Sequence, residues 1–170
     1  MKLKKFLVVF ALPIFAFTLS AQEVEEVVIT GSYIKSSPTD GASPVEIIGR
    51  DEIDNLNATT IADITANIAV NSGSENNSDS FTQGSTQGTS NINLRGLGLS
   101  STLVLVDGKR HTLAGNTAND GSVFVNTSSI PVIALDRVEV LKEGAASIYG
   151  SDAVAGVVNY ILRKDFTGLE

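Results

Sequence analysis

Between Asn71 and Asn93, 19 of 23 positions are Ser, Asn, Thr, Gln or Gly, and only Phe81 and Ile92 are apolar. A segment of that composition buries too little apolar surface to offset the entropy of ordering it, so it forms no core. It reads as a surface loop, either plainly solvated or presenting its hydroxyl and amide groups to a polar ligand. The core must then be built from the segments on either side. After residue 21 their longest apolar runs are a handful of residues, such as Leu103-Val104-Leu105-Val106. Runs of that length suit strands and cannot span a bilayer as helices.

The start of the chain is different in kind. Basic Met1-Lys2-Leu3-Lys4-Lys5 precedes an apolar stretch from Phe6 to Leu19 and then Ser20-Ala21. At about 1.5 Å per residue this stretch falls short of an apolar layer of about 30 Å, and Pro13 interrupts it. Residues 1–21 are therefore expected to be a secretory signal peptide, cleaved after Ala21. Its loss removes three lysines and no acid, so a net charge of −7 becomes −10. An acidic chain without clustered Lys and Arg is not expected to bind nucleic acid. The absence of Cys and the single His111 exclude thiolate chemistry, disulfides and two-histidine metal sites. His111, Asp107 and the many serines show no catalytic spacing, so no enzyme, cofactor or metal site is expected.

Val24-Glu25-Glu26-Val27-Val28-Ile29-Thr30 is a β-branched run ended by Gly31-Ser32, followed by the proline- and turn-rich residues 35–44. It is either an ordinary first strand or a tethered one whose open edge serves as a template for another chain. Val45-Glu46-Ile47-Ile48-Gly49 reads as a strand, and Asp51 as the cap of a short helix over 52–56. Thr59 or Thr60 caps the next helix, with Asp63 at the capping-box position and Ile61, Ile64 and Ile68 on one face as core.

Ile92-Asn93-Leu94-Arg95-Gly96 alternates like a half-buried strand, and Thr102–Val106 is a continuous apolar strand turned by Asp107-Gly108. Gly96-Leu97-Gly98 is not a dinucleotide fingerprint, because Ser101 stands in place of the third glycine and a strand follows. A helical turn is expected around residues 131–135. An alternating strand over Arg137–Lys142 follows, with Arg137, Glu139 and Lys142 tending to a polar face. Ala145–Gly150 reads as a helical turn with a glycine stop, and Ala155–Arg163 as the last strand.

This order of motifs resembles the plug domain of TonB-dependent outer-membrane receptors. Glu25-Glu26-Val27-Val28-Ile29-Thr30-Gly31 looks like a Ton box. Asn93-Leu94-Arg95-Gly96, Leu105-Val106-Asp107-Gly108 and Arg137–Lys142 follow in the family's order, and Gly144–Asn159 is similar to the family's closing signature. The resemblance implies an α+β fold, a small mixed β-sheet with short helices, and tight turns or close approaches at Gly96, Gly108, Gly144, Gly150 and Gly156. It divides the chain into a signal peptide (1–21), a Ton box with a flexible linker (22–43), a plug (44–165) and the start of a barrel (166–170).

The resemblance also implies partners. Glu26, Val27, Val28, Ile29 and Thr30 would add as a strand to a sheet edge of TonB. Arg95, Arg137 and Glu139 would meet charged groups of an enclosing, roughly 22-stranded β-barrel. The gated cargo would be an extracellular nutrient, such as a ferric siderophore, cobalamin, a carbohydrate or a peptide, met by residues 71–91 and 110–121. The expected location is the outer membrane, with the Ton box facing the periplasm. These 170 residues are too few to hold such a barrel, so the chain is expected to be a fragment of a receptor that cannot transport by itself; a free-standing periplasmic binding or signalling module is the alternative.

Overall fold

A computed structural model describes residues 30–31, 45–75, 84, 86–143 and 145–164. The expected signal peptide, residues 26–29 of the expected Ton box, the linker from 32 to 44, Gly144 and residues 165–170 lie outside these. Five strands form one mixed sheet: β1 (Val45–Ile48), β2 (Thr102–Val106), β3 (Lys109–Arg110), β4 (Leu135–Leu141) and β5 (Gly156–Leu162). Their spatial order is β1-β4-β5-β2-β3, with β5 and β2 parallel and all other pairs antiparallel. Among the described residues three short α-helices accompany the sheet: α1 (Arg50–Asn55), α2 (Ile61–Ala66) and α3 (Ala146–Tyr149). This is the small mixed α+β architecture that the sequence motifs imply.

Both faces of the central strands are covered. On one, Ile53 of α1 and Ile61 and Ile64 of α2, with Ile68 beyond it, pack against Val104, Val138, Val140, Val158 and Tyr160. On the other, Leu103, Leu105, Leu141 and Val157 pack under Ala145 and Ala153. Strands buried on both sides read as near-continuous apolar runs, which is why β2 and β5 stand out in the sequence. The α2 capping box forms as expected: the Thr60 hydroxyl accepts from the Asp63 N–H at 3.3 Å while the Asp63 carboxylate accepts from the Thr60 N–H at 2.8 Å. These bonds to the ionised form, first among them the Thr60 N–H, hold the Asp63 carboxyl below its ordinary value.

Four local expectations change. Gly49, not Asp51, caps α1, and Asp51 lies in its first turn, where a negative charge suits the helix's positive end. Residues 92–96 form only an isolated bridge between Asn71 and Leu94. Positive φ at Arg95 and Gly96 turns the chain there, and the Leu94 N–H is taken by the Thr102 hydroxyl at 3.0 Å.

The flanks of the polar tract are buried rather than solvated: Thr86, Ser90, Asn91 and Asn93 all have little exposed surface. Hydrogen bonding replaces apolar burial there. Ser90 pairs with the Thr127 hydroxyl at 2.6 Å and Asn91 accepts from the Glu75 N–H at 2.8 Å. Residues 76–83 and 85 lie outside the described residues. Finally, Glu139 lies on no solvated face; it has no exposed surface at all.

Gly156 opens β5 at φ +142°. A Cβ there would lie 2.6 Å from the Leu141 carbonyl oxygen and 2.7 Å from Leu94 Cδ1, so only glycine lets β4, β5 and the 94–96 turn meet.

Candidate functional site

Alternation along β4 sends Val138 and Val140 to the face covered by α1 and α2, and Glu139 and Leu141 to the opposite face. Register then sets the neighbours of Glu139: Ile47 of β1 on one side and Asn159 of β5 on the other. A carboxylate in the middle of a sheet is costly unless its oxygens are bonded. Oε1 accepts from Arg137 Nε at 2.9 Å, and Arg137 also donates to Asp136 at 2.7 Å. Oε2 accepts from the N–H of Thr30 at 3.0 Å and from its hydroxyl at 2.5 Å. Asn159 Nδ2 in turn donates to the Thr30 hydroxyl at 2.8 Å, and Asn159 Oδ1 accepts from the Gly108 N–H at 3.0 Å. Thr30, 109 positions before Glu139, is 3% exposed.

The residues singled out from the sequence thus fall into two places. Thr30 is the only one of the five expected TonB-binding residues among the described residues, and it meets Glu139 and, through it, Arg137. Arg95 is engaged elsewhere. Its guanidinium donates to the Ala155 carbonyl at 2.9 and 3.2 Å and to the Val154 carbonyl at 3.2 Å, fastening the 94–96 turn to the approach to β5. Two contributors were not foreseen: Asn159, and Tyr149, whose hydroxyl accepts from the Gly31 N–H at 3.2 Å. Asn159 carries a legible signal, a lone amide inside Val157-Val158-Asn159-Tyr160-Ile161. Tyr149 carries none, since its role depends on how α3 folds back over the sheet.

Of the two segments expected to meet cargo, residues 110–121 run on from the edge strand β3. A cleft of about 350 Å³ opens between β2 and the loop that follows β3, with Leu103, Leu113 and Val123 on its walls. An ion pair between Arg110 and Asp152, 2.6 Å apart, stands beside it, with His111 next in line. The arrangement offers apolar contact flanked by charge.

Comparison with known proteins agrees with this architecture. The family model described as TonB-dependent Receptor Plug Domain matches residues 37–157. Among solved structures, the ferric enterobactin receptor PfeA of Pseudomonas aeruginosa, in complex with BCV-L6, is 28% identical with a TM-score of 0.53, over 74% of this chain and 18% of that one. The siderophore receptor PirA from Acinetobacter baumannii is 28% identical with a TM-score of 0.52, over 71% and 17%. FpvAI, solved in complex with pyocin S2, shares the fold at 18% identity and a TM-score of 0.59, over 81% and 16%. The chain spans less than a fifth of the length of each of these proteins.

Proposed function

The chain belongs to the TonB-dependent receptor plug domain family, and on that premise we propose that it is the gate of an outer-membrane receptor for nutrient uptake. The observation that carries this reading is the plug match over residues 37–157, preceded at once by the strand-forming segment Glu26–Thr30 and a proline-bearing linker. In this reading residues 1–21 direct export, 22–43 hold the Ton box and its tether, 44–165 form the plug, and 166–170 lead into a barrel of roughly 22 strands. Two relatives, one named a ferric enterobactin receptor and the other a siderophore receptor, each 28% identical, favour a ferric siderophore among the candidate nutrients. The cargo would meet the polar residues 71–91 and the 110–121 loop beside the cleft.

The gate works through backbone chemistry. Glu26, Val27, Val28, Ile29 and Thr30 add to a sheet edge of TonB in the periplasm, where ladder hydrogen bonds supply affinity. Energy delivered through TonB then rearranges the plug and opens a path. Arg95 and Arg137 hold the plug reversibly to charged groups of the barrel wall, and Glu139 serves that contact by orienting Arg137. The domain performs no covalent step.

Replacing Val28 with Pro removes a ladder donor and fixes φ, so binding to the periplasmic domain of TonB, measured by calorimetry, is expected to vanish. Undiminished affinity would refute strand addition.

A further inference from the structure

We propose that the face of β4 and β5 opposite α1 and α2 carries a binding slot specific for a Thr-Gly step, and that the chain's own Thr30-Gly31 fills it as a latch on the tail. The consequence for TonB rests on the proposed function; the slot itself does not.

Three elements converge on two residues. Glu139 comes from β4, Asn159 from β5 and Tyr149 from α3. Between them they read one hydroxyl in both senses: the Thr30 O–H donates to Glu139 and accepts from Asn159. A hydroxyl is the small side-chain group that does both, so Val or Ala at 30 would leave a buried carboxylate and a buried amide each short of a bond. The slot also reads the backbone, since the N–H of Thr30 goes to Glu139 and that of Gly31 to Tyr149.

Position 31 is read by exclusion. Gly31 stands at φ +86°, and a Cβ on it would lie 2.9 Å from Cδ2 of Leu141, itself 2% exposed. Any side chain there meets both backbone strain and a filled wall. Thr30 and Gly31 form a turn and pair with no strand among the described residues, so side chains rather than a ladder hold them in place.

The geometry also fixes where a pull on the tail is first felt. Thirteen residues, 32–44, separate Gly31 from β1. While the slot is occupied, tension on residues 26–29 acts on Glu139 and Asn159 in the middle of the sheet before it reaches β1. Because Thr30 is common to the slot and to the strand offered to TonB, the two occupancies exclude one another. TonB capture lifts Thr30 off a carboxylate that is otherwise enclosed, and so loosens Arg137 at the same moment.

The test is amide hydrogen exchange at residues 30 and 31 in the full-length protein, alongside its affinity for the periplasmic domain of TonB. Gly31→Ala lies off the sheet and outside the five residues 26–30 proposed to add to TonB, so it opens the latch while leaving those five side chains unchanged. Protection of both amides is expected in the parent, reduced about tenfold in Gly31→Ala and in Glu139→Gln, with TonB binding about tenfold tighter in Gly31→Ala. Exchange of the parent's two amides at the rate of a free peptide would overturn the slot, as would unchanged protection in Gly31→Ala. Protection that is lost in Gly31→Ala, with neither protein binding TonB, would uphold the slot and remove the TonB reading instead.

Discussion

The two faces of the sheet are held by different mixtures of force. On the face covered by α1 and α2, Ile53, Ile61, Ile64 and Ile68 meet Val104, Val138, Val140 and Val158, and the contact is non-directional. On the other, a smaller apolar cluster of Leu103, Leu105, Leu141 and Val157 lies beside a polar patch where Glu139 and Asn159 hold Thr30 through hydrogen bonds of set direction. The strands are the same; only side-chain parity differs, so β5 shows Val158 and Tyr160 to the first face and Val157 and Asn159 to the second. Apolar packing on the first face gives permanence, because every displaced atom re-exposes surface to water. Bonds on the second can be exchanged for bonds to water or to another chain at little net cost. A domain that must stay folded while its tail changes partners needs both.

The sharpest way to break this contrast is to damage one face and watch the other. Ile64→Ala, at a position with no exposed surface, is expected to cost about 2–5 kcal/mol of unfolding free energy by chemical denaturation. The Thr30 and Gly31 amides should keep their relative protection, and their loss together with the core would erase the distinction between the faces.

A smaller effect of opposite sign is expected at Tyr160. Its hydroxyl is buried on the apolar face with no hydrogen-bond partner among the described residues, and burial, which disfavours the phenolate, pushes its pKa well up. Tyr160→Phe removes that orphan, so stability should hold or rise by about 1 kcal/mol in the same measurement. A clear loss would mean the hydroxyl has a partner after all.

An effect of similar size concerns the α2 cap. Thr60→Ala is expected to lower stability by about 1 kcal/mol near neutral pH. Because the Asp63 carboxyl is held below 3.8, its share of the box is complete above that pH and fades as pH falls through the lowered value. The gap between the parent and Thr60→Ala should therefore narrow in strong acid. A gap that widened there would reverse the assigned sign.

Much of the fold was legible because it rests on local rules. The β2 run, the Asp107-Gly108 turn, the α2 capping box and the Ile61-Ile64-Ile68 stripe each follow from a few neighbouring residues. Where the sequence reading failed, a distant group had taken over. Residues 92–96 alternate like a strand, yet Thr102 and Val70 claim the Leu94 and Arg95 amides and Arg95 turns the chain at φ 57°. The ends of the polar tract looked solvated because composition counts apolar atoms, whereas the Ser90 hydroxyl and Asn91 Oδ1 are buried with hydrogen-bond partners inside the fold. The candidate site was half legible: Glu139 and Arg137 could be picked out, but their alternation with valines suggested a solvated face.

Order along the chain, with its punctuating glycines and capping residues, was enough to determine the family and the strand-and-turn layout, because those depend on contacts between near neighbours. What lies over Glu139 was decided only by tertiary structure. Covering a charge takes donors that the chain returns from 109 positions away, and no local pattern encodes that distance.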